Sequence, residues 1–361
     1  MRRKKTDLEL LKESFKAGRL IPFVGAGFSM VDPALPGWIG FLQKLRMALS
    51  PKDQAIFDKL GKLEKAEFVR SRKGDSIIEM TTRNTLKRHP KKPSSLEAHK
   101  ILVSHFDRIY TTNYDRYFET VAKALSIQVH TIPPVTSISP AALAAYIERN
   151  KTSHRVECPR TKGKLTSCGN GKPTACRVVK YHGDYRVTKS LVLTETSYFQ
   201  RLLDVDAKDI LFSADALHFD FLFMGYGFDD LSLKFTLQQL ERTFETLGNT
   251  SKRGDFYILR TTDRPQDRFQ DAAYNLITID ISRWIVPQPL CHSATKSCLR
   301  VFHQNGSLPT CTCGAKNVFD DFSVVWNAAE DSGHTLHKAA IKFRAHILSV
   351  GFTNFLNDLV S

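Results

Sequence analysis

Four short stretches combine glycine, amide, carboxylate and imidazole groups at points where an apolar run stops. They are Gly25-Ala26-Gly27-Phe28-Ser29, Thr112-Asn113-Tyr114-Asp115, Tyr181-His182-Gly183-Asp184 and Gly225-Tyr226-Gly227-Phe228-Asp229-Asp230. Glycines at a strand-to-helix turn let the backbone approach a pyrophosphate, with free N–H groups aimed at its charge. A tight turn explains a lone Gly-Ala-Gly as well, and Met30 stands where the dinucleotide fingerprint carries its third small residue. Asn113 and Asp115 suit a helix N-cap, and a single histidine at a strand end is commonly structural. Four such junctions in one chain are harder to dismiss, because a parallel sheet would set them all along one edge. His182 supplies a side chain whose ordinary pKa allows proton traffic near neutrality. Asn113 can orient water or a hydroxyl without adding charge.

The elements that must position these groups read as alternating strands and helices. Leu20–Val24, Arg108–Thr112, Arg177–Tyr181, Leu191–Leu193, Phe219–Met224, Asp255–Arg260 and Leu276–Ile281 have strand character. Helical spacing marks Asp7–Lys16, Trp38–Leu49, Gln54–Arg70, Ser76–Lys87, Ser95–His105, Tyr114–Ala124, Asp229–Phe244 and His334–Leu359, with two more helices between Leu193 and Phe219. This alternation predicts an α/β fold, a doubly wound parallel sheet with helical and loop insertions, binding ligands at the carboxyl ends of its strands. Residues 150–176 lose periodicity and read as an insertion within a domain spanning 1–285. Residues 286–361 read as a second region, a cysteine-bearing insertion followed by C-terminal helices.

The 361 residues are enough for one large domain with an accessory lobe. No apolar run reaches the roughly 18 residues that span a bilayer, and the basic start lacks a signal peptide's apolar segment, which predicts a cytoplasmic protein without membrane contact. The net charge of +15 favours polyanionic partners, although scattered charge is more often a solvated surface. The basic excess is concentrated at Lys87–Lys92 and across Lys151–Lys180. Nucleic acid is therefore an indirect, last-ranked partner resting on charge alone. Seven cysteines, an odd number in a chain without a secretory signal, argue against a disulfide framework.

In their order along the chain, the four motifs resemble the sirtuin-like NAD-binding family, in particular its divergent prokaryotic branch found in antiphage defence proteins. The resemblance spans roughly Leu8 to Ile281. It implies a modified Rossmann fold with NAD as substrate and no metal required. Gly25, Ala26, Gly27 and Ser29 would hold the pyrophosphate and adjoining ribose, with Thr112 beside them. Asn113 would sit by the nicotinamide ribose and His182 would act as general base, while Asp115, Gly225 and Tyr226 shape the pocket.

Deacylases of this family carry a zinc module built from two Cys-x-x-Cys pairs, and this chain has no such pair. Cys158, Cys168 and Cys176 are widely spaced. Cys291, Cys298, Cys311 and Cys313, with His292 and His303, fit no zinc pattern, so inert cysteines are expected. The leading reading is an NAD glycohydrolase, an NADase that depletes NAD in antiphage defence. Its competitors are an NAD-dependent protein deacylase and a non-catalytic NAD- or ADP-ribose-sensing module. A lethal hydrolase must be held silent, which implies a homo-oligomer and a separate sensor or regulatory protein partner.

Overall fold

The computed structural model describes residues 5–87, 96–132, 175–187, 190–203, 207–228, 230–246, 254–260, 271–281, 284 and 337–361. Residues 150–174 of the first insertion, the whole of the second, and every cysteine except Cys176 lie outside the described residues.

Seven strands form one sheet: β1 (Leu20–Val24), β2 (Arg108–Thr111), β3 (Gln128–Ile132), β4 (Ala175–Lys180), β5 (Asp220–Met224), β6 (Phe256–Arg260) and β7 (Leu276–Asp280). Their order is β3-β4-β2-β1-β5-β6-β7, and every pairing is parallel. The chain builds leftward from β1 through β2, then rightward through β5, β6 and β7. Strand order therefore reverses between β1 and β5, at the centre of the sheet, where α/β folds open a ligand crevice.

Period-two alternation sorts the strand residues onto two covered faces. Val24, Ile109, Val178, Leu222 and Tyr257 pack on one face with α1 (Asp7–Lys16), α7 (Glu97–His105), α8 (Tyr117–Ala124) and the C-terminal helix α12 (His337–Val360). Phe23, Tyr110, Val179, Phe221, Phe223 and Ile258 pack on the other with α10 (Ala207–Ala216) and α11 (Leu231–Thr246). Burial on both faces explains why β1, β5 and β6 are apolar almost throughout. The short α2 (Ala26–Ser29) follows β1, and α9 (Glu195–Leu203) precedes α10.

A third cluster belongs to a helical cap over the sheet edge: α3 (Trp38–Arg46), α4 (Pro51–Phe57), α5 (Lys62–Lys73) and α6 (Asp75–Leu86). Phe41, Leu45, Phe57, Val69 and Ile78 form its core, joined by Leu193. Glu67 ties the cap to α9, accepting from Arg70 and from the Thr196 amide at 3.1 Å. The helical pattern over Gln54–Arg70 divides into α4 and α5, because Gly61 breaks the backbone and supplies a new N-cap.

Two further differences from the sequence reading have physical causes. Leu191–Leu193 is not a strand: the Val192 amide bonds the His182 carbonyl at 2.9 Å, and the Leu193 amide bonds Ser197 Oγ at 2.8 Å. Its apolar residues are buried under the cap rather than in a ladder. The fourth strand starts at Ala175, which places Cys176 in the sheet with its thiol buried and its pKa pushed up by that burial. The C-terminal helix packs on α7 and α1 in the main core, with Lys12 pairing Asp358 at 2.5 Å. Among the described residues no helix is long and apolar enough to cross a membrane.

His99 on α7 lies in this core against the rings of Phe28, Phe118 and Tyr117, with centroids 4.7, 5.0 and 5.7 Å away. Neither ring nitrogen has a hydrogen-bond partner. Burial, and then the charge of Lys180, push its pKa down to about 3 from an ordinary 6.5. The unfolded chain thus takes up this proton more readily than the folded one. The stability is present above pH 6.5 and is lost as pH falls from there towards 3. At pH 5 this group should cost about 2 kcal/mol relative to pH 7.5, from ~1.4 kcal/mol per pH unit below 6.5. Urea denaturation at both pH values should show that His99→Phe loses markedly less stability on acidification than the wild type. An equal loss in both proteins would disprove this role.

Candidate active site

The carboxyl ends of β4, β2, β1 and β5 lie side by side, and each carries one of the four motifs. Above them is a cavity of about 550 Å³. Of the residues expected at the site, Ala26, Gly27, Ser29, Thr112, Asn113, Asp115, His182, Gly225 and Tyr226 line it. Gly25 does not; it lies behind, where its carbonyl anchors Asn113. The cap contributes Trp38 and Lys62, and α12 contributes Leu348 and Phe352.

The turns after β1 and β5 interlock. The Gly27 amide donates to the Gly225 carbonyl at 2.8 Å, and the Gly25 amide to Met224 at 2.9 Å. A Cβ on Gly25 would meet Gly225 O at 2.5 Å, and one on Gly27 would meet it at 2.9 Å. Gly225 itself has φ +60°, and a Cβ there would collide with the Phe28 amide nitrogen. Packing therefore gives Gly27 a second reason to lack a side chain, beside the expected approach to a pyrophosphate. Its missing Cβ faces Gly225 of the protein.

Asn113 is held by its own amide. Nδ2 donates to the Gly25 carbonyl and to Ser29 Oγ, both at 2.9 Å. These two acceptors fix the orientation of the amide, so Oδ1 is the free atom, and it is buried without a partner. The Ser29 hydroxyl also serves the buried Asp115 carboxyl, whose pKa is raised by burial despite the nearby Lys180 ammonium. Lys180, itself fully buried, donates to the Asp115 carbonyl.

His182 is fixed from both sides of the backbone. The preceding carbonyl, of Tyr181, accepts from Arg201 at 2.8 Å and Lys208 at 3.1 Å. Gly183 then turns the chain at φ +109°, against the backbone of Ser190. The imidazole Nε2 sits 2.6 Å from Oδ2 of Asp230. Burial opposes the Asp230 charge, but His182, the Ser232 hydroxyl and the Leu233 amide outweigh it and hold the carboxyl well below the usual range. Around this pair stand Tyr114, Tyr198 and Tyr226, each kept a neutral phenol by burial and by the Asp230 charge. The Tyr226 hydroxyl, like Asn113 Oδ1, is buried without a partner.

Asp230 and Tyr114 stand in two of the four motifs but receive no role from the sequence, and Tyr198 stands outside the motifs. For Asp230 a signal existed: Asp-Leu-Ser at a helix start is an N-cap pattern, and Asp230 Oδ1 accepts from the Ser232 amide at 2.9 Å. Tyr198 comes from α9, far along the chain, and carries no local signal. Chemically, the site offers a buried acid–base pair, an unpaired amide oxygen and neutral phenol donors at one end. Its other end is apolar, walled by Leu35, Leu86, Leu348 and Phe352. Among the described residues no group of three or more His, Cys, Asp or Glu side chains is placed to hold a metal ion.

Residues 107–279 match the family model described as the SIR2-like domain. The chain therefore carries a sirtuin-like domain, and its function is related to NAD. No curated protein matches the chain. The matched residues contain three of the four motifs, while Gly25–Ser29, the cap and α12 lie outside them.

The interlocked turns make a sharp contrast between two nearby glycines. Gly225→Ala forces a left-handed backbone and a collision with Phe28, and should destabilise the fold by about 3 kcal/mol or more. Gly227→Ala meets nothing within 4 Å and should stay within about 1 kcal/mol of wild type. Chemical denaturation of the two variants checks this; equal stabilities would refute the interlock.

Proposed function

We propose that this chain, which carries a SIR2-like domain, hydrolyses NAD to nicotinamide and ADP-ribose. The observation that carries the reading is the pairing, across one cavity, of the unpartnered Asn113 Oδ1 with the His182–Asp230 pair. Hydrolysis breaks the bond between ribose C1′ and the nicotinamide nitrogen, and water supplies the hydroxyl that replaces it. The reacting carbon gains positive character as the cationic ring departs, so positioning and exclusion of bulk water matter more than a strong nucleophile. The oxygen of Asn113 can orient the water or a ribose hydroxyl without a formal charge. His182 takes the proton that the water or hydroxyl gives up. The cavity of about 550 Å³ lies within the range of small-molecule and cofactor sites.

Deacylation is disfavoured by the lack of any Cys-x-x-Cys pair in the sequence. A purely sensing module has no use for an acid–base pair in its pocket. A role as an NAD-depleting effector against phage follows from the resemblance of the motif set to the antiphage branch. Control by self-assembly or by a separate protein is part of that role. It draws support from exposed Phe199, Leu203, Leu231 and Phe235, apolar residues on the two helices next to His182.

The purified chain, alone and with candidate partners, should release nicotinamide from NAD. His182→Ala and Asn113→Ala should each reduce that rate by on the order of 10²-fold or more with the fold intact. Chromatographic quantification of nicotinamide, beside circular dichroism of each variant, makes the test. Folded variants that keep most of the activated wild-type rate would refute the assignment.

A further inference from the structure

We propose that Asp230 selects the working nitrogen of His182: it holds a proton on Nε2 and leaves Nδ1 as the basic atom presented to the cavity. The catalytic part of this inference rests on the hydrolytic reading above. The tautomer part rests on geometry alone.

The argument begins with what Asp230 can accept. Its Oδ1 takes hydrogen bonds from the Ser232 amide at 2.9 Å, the Ser232 hydroxyl at 2.8 Å and the Leu233 amide at 3.3 Å. A carboxyl group receiving these bonds at the start of α11, a helix of 16 residues, is stabilised as the anion. An anionic carboxylate has no proton to give. Its second oxygen, Oδ2, is buried with no other hydrogen-bond partner, and the atom 2.6 Å from it is His182 Nε2. Ser232 Oγ, which lies 3.5 Å from Nε2, gives its proton to Asp230 Oδ1, so Nε2 is the atom that carries a proton towards Oδ2. A neutral imidazole carries one proton, so Nδ1 is left with a lone pair. Among the described residues no protein group bonds Nδ1, while His182 lines the cavity.

The surroundings keep that choice. The other titratable groups around the pair are Tyr198 and Tyr181, whose rings lie 5.5 and 5.8 Å from the imidazole, and the buried phenols of Tyr114 and Tyr226 beside Asp230. Burial keeps all four protonated, and none competes as an anion. The nearby cations Arg201 and Lys208 are spent on the Tyr181 carbonyl and, for Arg201, on Asp209. Asp230 is thus a positioning residue. It acts on substrate through the histidine, and it stabilises the imidazolium once Nδ1 has taken its proton.

Nitrogen-15 NMR of the histidine-labelled chain reads the tautomer directly. At pH 8 wild-type His182 should appear as the Nε2–H form. In Asp230→Asn the amide oxygen can still cap α11 while its NH₂ group faces Nε2, so the ring should convert to the Nδ1–H form. In that variant kcat for nicotinamide release should fall by on the order of 10²-fold or more, with KM changed by less than about threefold. A residue that merely stiffened the loop would leave the tautomer unchanged. Wild-type His182 in the Nδ1–H form overturns the proposal, and so does a folded Asp230→Asn protein that keeps Nε2–H. If Asp230→Asn does not fold, the wild-type spectrum decides alone. If the wild type shows Nε2–H but never releases nicotinamide, the hydrolytic reading fails and the Asp230–His182 arrangement stands.

Discussion

The turns after β1 and β5 approach each other so closely that neither has room for a Cβ at the contact. Gly27 bonds the Gly225 carbonyl, and Gly225 adopts a left-handed conformation under the Phe28 amide. These two strands are the ones between which the chain reverses its direction of sheet building. Their carboxyl ends would otherwise splay apart where two helical connections depart to opposite sides. Locking them together leaves the Gly25 carbonyl turned towards β2, where it receives the side chain of Asn113. The orientation of the Asn113 amide is thus a consequence of glycine packing two strands away. Asn113 Oδ1 is left as the unpartnered atom of a cavity-lining residue because Nδ2 is already committed to Gly25 and Ser29.

Electrostatics completes what packing starts. A buried carboxylate is costly unless it is compensated: Asp230 Oδ1 is served by a helix N-terminus and a hydroxyl, and His182 Nε2 stands 2.6 Å from Oδ2. Three buried phenols surround it without adding charge. The result is a single anion next to a single titratable base in a largely apolar chamber. On the far side, Lys180 lies fully buried against the Asp115 carbonyl and near Glu119, so positive charge also stands beneath the pocket floor. The same ammonium charge, added to burial, keeps His99 neutral. The two histidines of this region therefore have opposite environments: one has a carboxylate at its ring nitrogen, the other only aromatic rings.

Much of this was legible in the chain. The apolar runs at Leu20–Val24, Arg108–Thr111 and Asp220–Met224 reveal strands buried on both sides, and their polar ends reveal the sheet edge that carries the site. What was less legible depended on tertiary partners. Gln128–Ile132, at the outside of the sheet, has only two apolar residues, Val129 and Ile132, with His130 and Thr131 breaking the alternation, and gives no strong strand pattern. Leu191–Leu193 looks like a strand, yet its amides are satisfied by His182 and Ser197, which no local pattern encodes. Gly27 was readable as a required glycine, but its contact with Gly225 was not, because that neighbour lies almost two hundred residues later in the sequence. Asp230 was hidden by a bland role it also performs, that of a helix cap.

The span of the family match shows how the parts divide the work. It begins at residue 107 and so excludes β1, although β1 is the central strand and supplies the turn that anchors Asn113. It also excludes the helical cap and α12, which between them wall the apolar end of the cavity. The matched region contributes the groups with chemistry: amide, imidazole, carboxylate and phenols. The outer segments contribute enclosure. An amide oxygen and a Nδ1 lone pair in open water would be solvated and weak, whereas in a chamber closed by Trp38, Leu348 and Phe352 they face a lower dielectric. Any ligand that fills the apolar end must contact α12, which is fastened to α1 through Lys12 and Asp358 and to Trp284 through the same carboxylate. The wall of the cavity is thus tied, through the last helix, to the first helix and to Trp284 as well as to the strand tips.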